Sequence, residues 1–258
     1  MPHGITLTID GALARLTLSR PERLNAIDFA MGAAYRDACL EATSTPGLGA
    51  VILDAEGGAF CAGGDVLAMA SGGATGADVT AAARVIHEGI SALTSSAIPV
   101  VAAVRGAVAG GGIGLMLAAD VVVAAPDLRV AGRYTDVGLT PDLGVSTLLV
   151  RAVGPRRATA ILTLGRELDA QTALAWGLIE EVHEQPEQRA GEIAQGWLDG
   201  ATGALGQAKR LIQASATRPF AASLEDEAVT IGAAFDTEEA RGRIAAFAAA
   251  SAAREARR

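Results

Sequence analysis

Hydrophobic and polar residues alternate over residues 5–18, except at Asp10-Gly11. This pattern predicts a β-hairpin, because alternation suits half-buried strands and Asp-Gly suits a tight turn. Further along, residues 50–54, 98–104 and 121–125 are continuous apolar runs. Such runs are typical of strands that are covered on both faces, as in a parallel sheet.

Helical spacing of apolar residues separates these runs. It predicts helices over residues 26–42 and 80–95, and a short helix over 113–119. The glycine-rich segment 71–78 is predicted to be a mobile loop, placed where a lid over a site could lie. Alternation of strand and helix over residues 50–125 favours an α/β domain with right-handed crossovers.

The C-terminal part of the chain has a different pattern, because strand signals fade after residue 145. Helical patterns follow over residues 145–152, 155–162, 170–176, 187–199, 203–215, 222–235 and 237–253. We therefore predict a core domain over residues 1–195 and a C-terminal helical region over residues 196–258 that serves packing or oligomerisation.

Glycines follow two of the predicted strands. The first run is Phe60-Cys61-Ala62-Gly63-Gly64-Asp65 and the second is Val108-Ala109-Gly110-Gly111-Gly112-Ile113-Gly114. Glycine at a strand end allows close approach to the backbone. Two such places predict two main-chain N–H groups that converge on one oxygen, as in an oxyanion hole. Neither run has the spacing of a P-loop or a dinucleotide fingerprint.

Composition and charge exclude several classes of function. The formal net charge of −8 argues against nucleic acid as a partner. The two cysteines and three histidines lack metal-ligand spacing, so no metal site is predicted. The most apolar stretch is broken by Arg105, glycines and Asp120, which is unlike a membrane span. The N-terminus also lacks the pattern of a signal peptide, so a cytoplasmic location is expected.

The ordered motifs resemble those of the crotonase (enoyl-CoA hydratase/isomerase) superfamily from about residue 5 to residue 247. Besides the two glycine runs they include Arg20-Pro21-Glu22-Arg23-Leu24-Asn25-Ala26, Pro99-Val100-Val101-Ala102-Ala103-Val104-Arg105-Gly106, Gly138-Leu139-Thr140-Pro141-Asp142 and Trp176-Gly177-Leu178-Ile179. The resemblance implies an α/β fold with a ββα spiral core and a C-terminal helical region. It also implies an acyl-CoA substrate and a homotrimer or dimer of trimers. No separate cofactor is implied, because coenzyme A enters as part of the substrate.

The resemblance also assigns roles to residues in and near the glycine runs. The N–H groups of Gly64 and Gly111 would hold the thioester carbonyl as it becomes an enolate. Ala62 would meet the adenine of the coenzyme and Arg23 its phosphates. Asp65 belongs to the same substrate-binding loop, where it more naturally orders the loop than takes part in chemistry.

Two further positions concern the C-terminal helix of the family. Phe247 matches an aromatic residue that often reaches a ligand of a neighbouring subunit. Ala250 stands where related hydratases commonly offer a lysine, so that contact is not expected here.

The family's hydratases use two glutamates, because one group activates water while the other donates a proton. The matching positions here hold Gly114 and Tyr134, so ordinary hydration is not expected. Some isomerases of the family carry a catalytic aspartate at the position of Asp142, where it would move a proton between carbons of the enolate. Alternatively, Asp142 simply caps the following helix.

Two other functions stay open. In the family's aryl-CoA dehalogenases a histidine activates water while an aspartate attacks the ring. His87 and Asp142 fall at those positions, with Tyr134 as hydrogen-bonding support in place of a tryptophan. The other possibility is an acyl-CoA-binding protein that has kept the oxyanion turns and lost turnover.

Overall fold

The computed structural model describes residues 3–255, so residues 1–2 and 256–258, the outer ends of the two predicted regions, lie outside it. The strands are β1 (Ile5–Asp10), β2 (Leu13–Leu18), β3 (Ala50–Ala55), β4 (Val100–Val104), β5 (Ala107–Ala109), β6 (Val121–Ala124), β7 (Arg129–Ala131), β8 (Leu168–Asp169) and β9 (Glu181–Val182). The helices are α1 (Phe29–Ser44), α2 (Val66–Ser71), α3 (Gly76–Ser95), α4 (Gly111–Leu117), α5 (Val145–Thr163), α6 (Ala170–Trp176), α7 (Pro186–Asp199), α8 (Thr202–Ser215), α9 (Phe220–Phe235) and α10 (Glu238–Glu255).

The strands form two sheets. A six-stranded sheet has the order β1-β2-β3-β4-β6-β9, in which the hairpin pair β1–β2 is antiparallel and the other pairs are parallel. A three-stranded sheet has the order β5-β7-β8. The chain passes from the large sheet to the small one twice, from β4 to β5 and from β6 to β7. Both glycine runs lie where these two sheets meet.

The central strands are covered on both faces, as the continuous apolar runs predicted. In β4, Val100 and Ala102 belong to the main core, which also contains buried residues of α1 and α3. Val101 and Ala103 belong to a second core on the other face, where α7 contributes Ala190 and Ala194. Full burial of a valine or leucine stabilises the fold by about 1.5–3 kcal/mol, so this double layer makes the sheet a rigid support.

The segment predicted as a mobile loop over residues 71–78 is half helical, so the loop is shorter than predicted and covers only residues 72–75. α2 ends at Ser71 and α3 begins at Gly76. Thr75 and Asp78 form a capping box, in which each side chain accepts a hydrogen bond from the other residue's N–H. This local bonding starts the helix despite the glycines, because it satisfies two N–H groups of the first turn.

The boundary predicted at residue 195 falls inside α7, a continuous helix whose Trp197 and Leu198 still pack against the second core. The region that leaves the sheet therefore begins with α8. That helix approaches the core closely, since a Cβ on Gly206 would overlap the carbonyl oxygen of Ala97.

Lys209 on α8 fastens the helix to the core. Its Nζ lies 2.9 Å from Asp120 Oδ2 and donates to the carbonyl oxygens of Leu93 and Ile98, each at 2.8 Å. The side chain is 5 % exposed, so it lies between α8 and the core and not on the surface. Burial lowers the pKa of Lys209, while the charge of Asp120 opposes that shift.

The last two described helices contribute no residue to the core. They instead expose large apolar side chains, among them Phe220, Ile231, Phe235, Ile244 and Phe247. No helix within residues 3–255 combines the length and the apolar character that crossing a membrane requires. The cytoplasmic location stays a prediction.

Candidate active site

The two glycine runs lie side by side, as the sequence predicted. The N–H of Cys61 donates to the oxygen of Ala107 at 3.2 Å, and the N–H of Ala109 donates to the oxygen of Cys61 at 2.9 Å. Gly63 has a φ of +95°. A Cβ at that residue would lie only 2.8 Å from the oxygen of Ala109, so any side chain would separate the two turns.

The main-chain N–H groups of Gly64 and Gly111 are both available to a ligand. Across residues 3–255 neither of them donates a hydrogen bond to a protein atom. Gly64 is held on both sides, since Gly63 O accepts from Ile27 N–H at 2.7 Å and Asp65 N–H donates to Ile27 O at 2.8 Å. Gly111 is the first residue of α4. Both glycines line one cavity, so their N–H groups can serve a single oxyanion.

This cavity has a volume of about 300 Å³. Its apolar wall comes largely from one face of α3, with contributions from α1, α2 and the segment before Asp142: Val79, Ala82, Ala83, Ile86, Phe29, Val66, Met69, Val137 and Leu139. Its polar lining includes Tyr134, Asp136 and Asp142. A reacting carbonyl at the glycines would therefore have both an apolar pocket and carboxylates within the same enclosure.

Asp142 lies next to Gly111 and is hydrogen-bonded to Tyr134. Its Oδ1 is 3.6 Å from the place that a Cβ on Gly111 would take. The hydroxyl of Tyr134 donates to the same Oδ1 at 2.7 Å. Burial of the ring, together with the Asp142 carboxylate, raises the pKa of Tyr134. The phenol therefore stays protonated and remains a donor through the neutral pH range.

The alternative role of Asp142 as a helix cap is wrong. The N-cap of α5 is Gly144, with no side-chain hydrogen bond, and only the main-chain oxygen of Asp142 accepts from Val145 N–H. The side-chain carboxylate of Asp142 instead accepts from Tyr134 and lines the cavity. The following residue, Leu143, has a φ of +49° and packs over α4. Its carbonyl oxygen occupies the space that a Cβ on Gly114 would need.

His87 is brought close to this turn but does not line the cavity. Its Nε2 accepts a hydrogen bond from the N–H of Leu143 at 3.1 Å. An acceptor nitrogen carries no proton, so the ring is neutral in this arrangement. The rest of the side chain lies in a shallow surface depression beside Glu88 and Ser91. His87 therefore supports the residue next to Asp142 from outside the site.

Asp65 lies inside the first glycine turn, and its expected contact with the coenzyme stays a prediction. The residue is 3 % exposed, Arg23 and the Ala68 N–H donate to it at 2.9 and 3.0 Å, and Arg20 forms an ion pair with it at 3.1 Å. Burial alone would raise the pKa of Asp65, but the bonds from Arg23 and Ala68 and the charge of Arg20 hold it lower than usual. Its carboxylate therefore caps α2 and joins that helix to Arg20 and Arg23.

The remaining predicted residues occupy different places. Ala62 lines the cavity, in agreement with a place near the ligand. Arg23 is 41 % exposed at its side chain while paired with Asp65. Phe247 on α10 is 75 % exposed and is not part of this cavity. No cluster of three metal-ligating side chains occurs among the residues that the structure covers.

Sequence reasoning missed two residues that shape the site. Arg20 pairs with both Asp28 and Asp65, although its motif was noted only as a resemblance. Leu143 gave no signal, because nothing in its residue type indicates a positive φ.

Comparison with known proteins identifies the family. A family model described as enoyl-CoA hydratase/isomerase matches residues 8–253. The chain belongs to the enoyl-CoA hydratase/isomerase family. A probable enoyl-CoA hydratase of Mycobacterium tuberculosis is 37% identical over 192 residues, which is 74% of either chain.

Solved structures of the family confirm the predicted crotonase-like α/β fold with its C-terminal helices. An enoyl-CoA hydratase from Polaromonas sp. JS666 superposes with a TM-score of 0.88 at 31% identity, over 95% of this chain and 96% of that one. A Thermobifida fusca protein in complex with acetoacetyl-CoA gives a TM-score of 0.83 at 27% identity, over 90% of this chain and 95% of that one.

Proposed function

We propose that this member of the enoyl-CoA hydratase/isomerase family moves a double bond in an enoyl-CoA thioester, with Asp142 as the proton shuttle. The observation that carries the proposal is the Asp142 carboxylate, which lies beside Gly111 in the cavity and is hydrogen-bonded to Tyr134. A relative of the same fold was solved with acetoacetyl-CoA, which supports a CoA thioester as the ligand.

The proposed reaction has two proton transfers. The thioester oxygen accepts hydrogen bonds from Gly64 and Gly111 N–H, and Asp142 removes a proton from C2 of a 3-enoyl chain. The electron pair moves toward the oxygen to give a dienolate, which each N–H donor stabilises by about 3–4 kcal/mol. The protonated Asp142 then returns the proton to C4, leaving the double bond between C2 and C3. One carboxylate suffices, since the proton is lost and regained in sequence.

Tyr134 and Gly114 favour this reaction over hydration, for which the resemblance requires two glutamates. A glutamate cannot replace Gly114 without displacing the Leu143 carbonyl. Tyr134 occupies the other position, and its hydroxyl is committed to Asp142. Neither residue can therefore activate water in place of the missing carboxylates.

The dehalogenase-like alternative needs His87 as a base. Nε2 of His87 already accepts a hydrogen bond from the Leu143 N–H, so this nitrogen is not free to take a proton from water. A binding protein without turnover remains the other alternative. Both are distinguished from isomerisation by the reaction products.

The test uses 3-enoyl-CoA thioesters of several chain lengths in D2O, followed by NMR. We expect 2-enoyl product in which the hydrogen added at C4 is largely the proton removed from C2, with deuterium entering only to the extent that protonated Asp142 exchanges with the solvent. Release of halide from 4-halobenzoyl-CoA without any double-bond shift would favour the dehalogenase function. Calorimetric binding of acyl-CoA without either product would favour a binding protein, and both results would contradict the isomerase proposal.

The coenzyme contacts are proposed from the same placement. Ala62 at the cavity edge meets the adenine, and the exposed part of Arg23 reaches the phosphates while its other face holds Asp65. Phe247 is too exposed to contribute within one chain. It fits the expected contact with the ligand of a neighbouring subunit.

We expect a homotrimer or a dimer of trimers in solution. The apolar side chains of α9 and α10 support this, because Ile231 is 71 % and Phe235 is 60 % exposed in one chain. Light scattering should give three or six times the chain mass. Replacing both residues by glutamate should lower that mass, whereas Glu225→Gln on the same helix should not. A monomeric wild-type protein would contradict the proposal.

A further inference from the structure

Leu143 is held in a conformation that leucine rarely adopts. Its φ of +49° lies in the left-handed region, where a Cβ crowds the backbone. Such a conformation persists only where the surroundings enforce it. On one side, packing holds Leu143 in this conformation. Its side chain covers Gly111, and its Cδ1 lies 2.7 Å from the place that a Cβ on Gly111 would take.

On the other side, a hydrogen bond to His87 holds Leu143. Leu143 is 3 % exposed, so its N–H needs a partner within the protein. Within residues 3–255 no main-chain oxygen accepts a hydrogen bond from it. Nε2 of His87 reaches in from α3 and accepts that N–H at 3.1 Å.

We infer that His87 is a positioning residue, whose neutral imidazole holds the Leu143 peptide and thereby fixes the Asp142 carboxylate against Gly111 and Tyr134. The kinetic part of this inference rests on the proposed isomerisation. It gives His87 a role as hydrogen-bond acceptor, in contrast to the role of base that it has in the dehalogenase-like alternative.

Two variants separate an acceptor from a base. His87→Gln keeps an acceptor oxygen on a side chain that cannot take up a proton, whereas His87→Leu removes the acceptor. Ser91→Leu is the matched control, because Ser91 lies one turn further on α3 and lines the same surface depression. His87 is exposed overall, so these changes leave the apolar core in place.

With a 3-enoyl-CoA substrate, His87→Leu should lower kcat by about 10- to 100-fold, because a small displacement of Asp142 spoils its alignment. KM should change by less than about threefold, since His87 does not line the cavity. His87→Gln should stay within about threefold of the wild-type kcat, and Ser91→Leu within about twofold. Equal loss in His87→Gln and His87→Leu would mean a base, and no loss in either would mean no role; each would overturn the inference.

NMR on the folded protein decides the hydrogen bond without any turnover. We expect a through-bond coupling between the Leu143 amide nitrogen and Nε2 of His87 in the wild type. The Asp142 carboxyl carbon resonance should shift in His87→Leu and return in His87→Gln. Absence of the coupling, or an Asp142 resonance that is unaffected by His87→Leu, would refute the positioning role. If the coupling is present and the Asp142 resonance responds to His87→Leu, but the wild type shows no isomerisation, only the proposed function is refuted.

Discussion

Asp142→Asn is expected to slow the double-bond shift by about 100- to 10,000-fold, the range for loss of a positioned acid–base group. The amide keeps the volume of the carboxylate and can still accept from the Tyr134 hydroxyl at the place where Oδ1 now lies. It cannot take up a proton, so the enolate should not form. The affinity for the thioester should change little, because the oxyanion turns and the apolar wall are untouched. Steady-state kinetics and calorimetry on the same preparation measure both quantities.

Asp136 provides the comparison for this variant. It is the other carboxylate near Tyr134 in the cavity lining, and Arg133 pairs with it at 3.2 Å. Asp136→Asn should therefore keep kcat within about threefold of the wild type, as expected for loss of an exposed pair. The opposite ranking of the two variants would transfer the role of base to Asp136.

Lys209→Met is expected to lower the free energy of unfolding by about 3–5 kcal/mol. The substitution leaves Asp120 without its cationic partner and two carbonyl oxygens without their donor. An uncompensated buried charge is costly, whereas a well-packed neutral replacement of both partners costs little. Denaturant titration at a fixed protein concentration measures the change.

The double variant Asp120→Asn with Lys209→Met tests whether the loss of stability comes from the unpaired charge of Asp120. If the ion pair accounts for the loss, the double variant should be more stable than Lys209→Met alone, because the stranded charge is gone. If Lys209→Met lowers the free energy of unfolding by less than about 1 kcal/mol, the Lys209–Asp120 ion pair contributes little net stability.

The sequence predicted the parts of the fold that depend on local pattern. The hairpin of β1 and β2 is confirmed, because its residues alternate between apolar and polar. The buried strands β3, β4 and β6 are also confirmed, because short continuous apolar runs are typical of strands covered on both faces. The break in α5 at Gly154 also agrees with the two helices predicted there, since that glycine has a φ of +78° before Pro155. The short strands β5, β7, β8 and β9 were missed, because two or three residues are too few to show a period.

The site was harder to predict than the fold, because more of it depends on tertiary contacts. The glycine runs indicated where backbones would approach each other, and Gly63 shows why a side chain is excluded there. The hydrogen bond from Tyr134 to Asp142 was expected only from the resemblance, and the Leu143 turn was not expected, because its conformation depends on packing against α4 and on His87. The burial of Lys209 also could not be predicted from the sequence, since its helical pattern gives no sign that it lies against Asp120.

The enclosure of Lys209 has a chemical consequence for a protein that handles thioesters. It is the only lysine in the sequence, so no other ε-amino group exists to which an activated acyl group could be transferred. Lysine amines are the usual sites of such modification, whereas arginine guanidinium groups stay protonated and unreactive. The folded surface therefore presents cationic side chains that can attract a phosphorylated ligand without being acylated by it.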